Sequence, residues 1–254
     1  PGCLLPGTSY LELGRAAYNE RFGAGAVSLS NVIFLSPCFV GDSEEVVVQT
    51  QLIYEQGKTE FVVSSYRDGD WVEHARGNVG PADVSVNAAS LSALRETCTR
   101  NKSVPPRGTD QANLQFGKRW HCARRIALGE GQAVIDLTLG EDFCGDLEWA
   151  LLHPALLDIA TAGAQDIVPN YDVRMHFLIP LGYSKVSVLR PLTSSITSHV
   201  QLHDGVVLGP DSAAKGDTVT FNITIMDKQG QALVKVEDFT MKCVVLDFSG
   251  RADA

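Results

Sequence analysis

The chain has 254 residues, 44 % of them hydrophobic and 20 % charged, with a formal net charge of −9. This composition supports a buried core, and the acidic balance argues against a nucleic-acid binder, which carries a basic face. No run approaches the ~18 apolar residues of a membrane helix, the opening PGCLLPGTSY lacks the basic segment of a signal peptide, and the missing initiator Met reads as a piece of a longer polypeptide.

Pro6-Gly7 and a Thr8 suited to N-capping predict a helix from about Thr8 to Arg21, stopped by Gly23. NVIFLSPCFV is a β-rich run that Pro37 interrupts. Residues 44–79 then hold three β-rich runs, separated by the turn signals EQGK and RDGD. A polar stretch follows, ending in PPRG and holding one short helix, SLSALRETC. After it, LQFGKRWHCARRIALGEGQAVIDLTLG predicts two strands joined at Gly129-Glu130-Gly131. LLHPALLDIATAG reads as a second helix entered through Pro154. Four further β-runs complete the chain, FLIPLGYSKVSVLRPL, SITSHVQL, DTVTFNITIMD and ALVKVEDFTMKCVVLD, with DKQGQ as the last hairpin turn. Phe22, Phe34, Phe39 and Tyr54 read as core aromatics.

Six cysteines are scattered singly with no CxxC pair, so neither zinc nor a redox couple is indicated. Free thiols in a reducing, cytoplasmic compartment are expected. The sequons at Asn101 and Asn222 are then chance matches.

The halves echo one another: each has a proline-led helix (Pro6, Pro154), a β-run with a proline (Pro37, Pro191), and strands joined by a Gly-containing turn. The pattern predicts an internally duplicated α+β chain, with units over 1–80 and 113–248 and a linker over 81–112. Asp158 stands out as one carboxylate in a run of Leu, Ile and Ala, where Asp is rare unless paired or used. Two readings stay open on the residues alone: a helix-start Asp capping backbone N–H groups, or a functional group.

LLPGTSYLELGRAAY, LQFGKRW and LHPALLDIATAG resemble, in order and spacing, three segments of polyketide synthase dehydratase domains. LQFGKRW is similar to their Tyr-Gly-Pro-x-Phe, and LHPALLDIATAG to their His-Pro-x-Leu-Leu-Asp. The resemblance covers nearly the whole chain. It implies a double hot-dog fold, two units each with a long helix wrapped by a curved antiparallel sheet. It also implies loss of water from a β-hydroxyacyl chain on acyl carrier protein, with no metal or redox cofactor and the substrate on a phosphopantetheine arm. Expected partners are the carrier protein, neighbouring synthase domains and a second copy of the chain, with no nucleic acid and no membrane.

The resemblance makes Asp158 the catalytic aspartate. Expelling hydroxide needs an acid, and desolvation by apolar neighbours raises a carboxyl pKa enough for that task. Pro6 and Gly7 are expected to present a helix N-terminus to the thioester oxygen, with Gly7 allowing close approach. Phe116 and Gly117 either line the substrate passage or pack in a strand. His153 and Pro154 set the turn into the helix; His153 as a substitute base is the weaker reading. His121, His176 and His199 read as structural or exposed, and nothing supports a role for His74 or His203. Arg124 and Arg125 either meet an acidic carrier or are simply solvated.

Two departures matter. The family's His-x-x-x-Gly-x-x-x-x-Pro motif, aligned on Pro6, puts its glycine at Pro1 and its histidine upstream of Pro1. Four residues after Asp158, Ala162 replaces the usual Gln or His, so Thr161 or Gln165 is expected to hold the aspartate instead. These departures keep a double-bond isomerase, a pyran-forming cyclase and a silent structural domain in view as alternatives.

Overall fold

The computed structural model describes residues 2–83, 88–104, 115–203 and 207–245. In chain order, β1 (Cys3–Leu5) leads into α1 (Gly7–Phe22), followed by β2 (Val27–Phe34) and β3 (Cys38–Val40). β4 (Val47–Glu55), β5 (Lys58–Arg67) and β6 (Asp70–Pro81) form a meander. α2 (Leu91–Thr97) and β7 (Arg100–Lys102) precede β8 (Ala123–Leu128) and β9 (Gln132–Thr138). Then come α3 (Pro154–Ala162), β10 (Phe177–Val188), β11 (Ser195–Leu202), α4 (Ser212–Lys215), β12 (Thr218–Met226) and β13 (Ala232–Val244).

Local chemistry accounts for the boundaries. Both meander turns place two successive residues at positive φ, Gln56 and Gly57 in one, Asp68 and Gly69 in the other. That is the type I′ geometry whose twist matches the flanking strands. Pro37 separates β2 from β3 as expected. Thr8 is not the N-cap of α1: Pro6 holds that position, with no side-chain cap. The Thr8 hydroxyl points instead across the molecule, donating to the Pro154 carbonyl at 3.1 Å.

Eleven strands make one antiparallel sheet in the order β4-β5-β6-β2-β10-β13-β12-β11-β9-β8-β7, and β1 and β3 pair separately. The halves join where β2 meets β10, with Val27 opposite Val188 and Ile33 opposite Gly182. A Cβ on Gly182 would lie 2.1 Å from the Val32 carbonyl oxygen, so only glycine allows this close approach. β7 lies within the stretch read as linker, yet pairs with β8 and extends the second half of the sheet.

The core is shared by both halves. Leu11 of α1, Phe61 of β5, Leu156 and Leu157 of α3, and Phe221 and Phe239 of the second half are all fully buried. Phe34 is half-buried, while Phe22, Phe39 and Tyr54 are exposed rather than core. Tyr54 lies on edge strand β4, and Phe22 ends α1, its ring tilted against Tyr18 with centres 4.7 Å apart. All six cysteines are free thiols, four of them buried. Among the described residues, no helix is long and apolar enough to cross a membrane.

Candidate active site

The two proline-led helices meet at the centre. Besides the Thr8–Pro154 bond, Glu12 of α1 reaches the segment leading into α3. Its carboxylate accepts from the backbone N–H of Leu151 (3.1 Å) and Leu152 (2.9 Å). The same carboxylate takes two bonds from Arg15, both 2.7 Å. Glu12 and Arg15 are 7 % and 5 % exposed, so this is a buried, bidentate ion pair that also serves two backbone donors.

His153 caps α3, its Nδ1 accepting from Leu156 N–H at 3.4 Å while Nε2 lies 3.4 Å from Asp146 Oδ2. Burial lowers the His153 pKa. Its structural reading therefore has two named partners, and the capping role considered for Asp158 belongs to His153. Asp158 is the fifth residue of α3 and half-buried. Burial pushes its carboxyl above the usual carboxylate range, and a hydrogen bond from Trp120 opposes the shift only in part. Trp120 Nε1 donates to Asp158 Oδ2 at 2.7 Å.

Thr161 and Gln165 do not hold that carboxylate. The Thr161 hydroxyl donates back along its own helix, to the Leu157 and Asp158 carbonyls at 3.0 and 3.2 Å. The Gln165 amide oxygen accepts from Tyr171 Oη at 2.7 Å. Sequence reasoning missed Trp120, although it closes the quoted segment LQFGKRW. The available signal was the indole N–H, which needs a partner when its ring is buried. Phe116 and Gly117 lie outside any strand. Gly117 caps a 3-10 turn over Lys118–Trp120, and the position of its absent Cβ faces open space.

Tyr183 of β10 was also missed. It is buried, and its hydroxyl lies beside the Thr161 side chain. Desolvation and the Asp158 charge both raise its pKa, which puts it beside the aspartate. Phe34 meets Tyr183 edge-on, ring centres 5.9 Å apart, and Tyr10 at 6.1 Å. The space beside Gly7, expected to admit substrate, holds the Phe34 ring, 2.9 Å from where a Cβ would be. A row of aromatic rings thus runs from the start of α1 towards Asp158.

Comparison with known proteins covers both halves. The family described as "Polyketide synthase dehydratase domain" matches residues 2–66, and that described as "Polyketide synthase dehydratase N-terminal domain" matches residues 87–246. The polyketide synthase PksM of Bacillus subtilis (strain 168) is 21 % identical over 95 % of the chain, which spans only 6 % of PksM. The dehydratase domain from the CurF module of the curacin polyketide synthase is similar in structure. Its TM-score is 0.83 at 23 % identity, over 96 % of this chain and 86 % of that one. A trans-acyltransferase polyketide synthase enoyl-isomerase shares the fold at TM-score 0.75 and 12 % identity, covering 94 % and 90 % of the two chains. With two central helices, α1 and α3, beside one eleven-stranded antiparallel sheet, and a family match across most of its length, the chain belongs to the polyketide synthase dehydratase domains and has their double hot-dog fold.

Proposed function

We propose that the chain removes water from a β-hydroxyacyl thioester, giving an α,β-unsaturated thioester, with Asp158 as the acid. One observation carries this: a desolvated carboxyl with a raised pKa, fixed at one oxygen by an indole N–H. Such a group stays protonated above the ordinary carboxylate range and can protonate a departing hydroxyl.

In this reading a base takes the α-proton and its electron pair forms the new C=C bond. The C–O bond breaks, and Asp158 gives its proton to the leaving hydroxyl, releasing water. Trp120 then stabilises the resulting carboxylate. The uncapped first turn of α1, at Pro6 and Gly7, is suited to receive the charge that develops on the thioester oxygen. The base is the motif histidine upstream of Pro1. The substrate rides on the phosphopantetheine arm of an acyl carrier protein. The chemistry calls for no metal or redox cofactor. The setting is a cytoplasmic synthase in which neighbouring domains, and a second copy of the chain, are the partners. Phe116, Gly117, Thr161 and Gln165 remain candidates for the walls of the acyl path.

The test supplies a carrier-bound β-hydroxyacyl chain to the polypeptide with its native upstream sequence and follows loss of water by mass spectrometry. Dehydration that Asp158→Asn abolishes is the expected result. A migrated double bond, a ring product, or unchanged turnover by Asp158→Asn would each overturn the proposal.

A further inference from the structure

Two departures from the family pattern fall on the same carboxylate. One turn after Asp158, Ala162 stands where the resemblance implies Gln or His, so no side-chain donor comes from there. In LQFGKRW, set against Tyr-Gly-Pro-x-Phe, the last position is Trp120 instead of Phe, and that indole N–H is the group on Asp158. We propose that Trp120 is the positioning residue for Asp158 in this chain, its N–H replacing the donor lost at position 162. The proposal rests on the reading of Asp158 as the acid.

The chemistry of the donor sharpens the claim. An amide or an imidazole can donate or accept, whereas an indole N–H only donates. With Trp120 facing Oδ2, a proton on that oxygen would meet another hydrogen. Neutral Asp158 therefore carries its proton on Oδ1, the oxygen left for the substrate. The donor thus selects which oxygen delivers the proton as well as where the carboxyl sits.

The frame around the pair is built to hold this aim. Arg119, beside Trp120, donates to Asp146 at 2.5 Å and lies over the Phe143 ring, 4.6 Å from its centre. Asp146 in turn contacts His153, the cap of α3. The turn bearing Trp120 and the helix bearing Asp158 are tied together through Arg119, Asp146 and His153. A hydrogen bond between two elements fixed to one another holds its geometry better than one between loose segments.

Trp120→Phe installs the family residue and keeps an aromatic ring. Trp120→Phe with Ala162→Gln then returns a donor from the family's position. The variants are made in the polypeptide with its native upstream sequence and read in two ways. Carbon-13 carboxyl NMR, with Asp158 assigned through Asp158→Asn, follows the ionisation of that group. Steady-state kinetics on a β-hydroxyacyl thioester give kcat and KM. Trp120→Phe should move the Asp158 ionisation to higher pH, because a donor to the charged form is gone. It should lower kcat about tenfold or more with KM within about twofold. The double variant should recover most of both changes. An unshifted carboxyl with wild-type kcat in Trp120→Phe overturns the proposal, and so does a double variant with no recovery. Failure of the underlying reading looks different: Asp158→Asn would keep its turnover, while the carboxyl titration would still report whether Trp120 acts on Asp158.

Discussion

Removing the Glu12 carboxylate tests how the helices are locked together. Glu12→Ala strands the Arg15 guanidinium, 5 % exposed, and leaves the N–H groups of Leu151 and Leu152 without their acceptor. Breaking a buried pair by deleting one partner costs about 3–5 kcal/mol. Each orphaned buried donor adds about 1–3 kcal/mol. The low ends of both ranges together give about 5 kcal/mol, or a fall of about 10–20 °C in Tm for a domain of this size. Replacing both charges, as Glu12→Leu with Arg15→Met, removes the stranded cation and leaves only the two backbone donors, a cost of about 2 kcal/mol. Urea unfolding followed by tryptophan fluorescence supplies the comparison, with m-values checked for constancy. A loss under about 2 kcal/mol in Glu12→Ala, or a double variant no more stable than the single one, would refute the reasoning.

Asp158→Asn should stabilise the fold in a pH-dependent way. The folded-state pKa is raised, so the folded chain binds the extra proton where the unfolded chain does not, and wild-type stability falls as pH climbs through that window. The variant's Tm should exceed wild type at about pH 8 and converge with it at about pH 3; a gap equal at both pH values contradicts the linkage. Gly182→Ala forces a methyl group against the Val32 carbonyl and should cost about 1–3 kcal/mol or more, seen as a lowered urea midpoint. A midpoint within error of wild type would mean that the seam tolerates a Cβ. Thr8→Val keeps the shape and deletes the bond to Pro154, so calorimetry should show a fall in Tm of about 2–4 °C.

Much of the fold was legible because it is written locally. The residues at 56–57 and 68–69 match turns with positive φ, and a proline marks the start of each central helix, Pro6 as the N-cap of α1 and Pro154 as the first residue of α3. What could not be read was long-range. Nothing in β2 names β10 as its partner, and three polar residues ahead of a proline-rich stretch did not announce β7. Nothing in the spacing of Glu12 and Arg15 announced that Leu151 and Leu152 would lie against the Glu12 carboxylate. Thr8 matched an N-cap by type and position, but its hydroxyl bonds to a carbonyl 146 residues away. At the site, Asp158 was visible because a carboxylate contradicts its apolar surroundings. Trp120 was not, since a tryptophan contradicts nothing until its N–H is seen aimed at that carboxylate.

The β2–β10 seam sets an order of events on the ribosome. The strands 27–81 can pair with one another as soon as they emerge, but β2 then presents an open edge to whatever is nearby. Its partner arrives roughly 150 residues later, about 8–30 s at common elongation rates. Through most of that interval Glu12 also lacks the backbone N–H groups of Leu151 and Leu152 that it will hold. The first half therefore waits as a half-sheet with one unsatisfied strand. A nascent chain stalled before Phe177 should engage chaperones or pair with its neighbours on the same message, and a chain released past Val244, which also supplies the β13 partner of β10, should not.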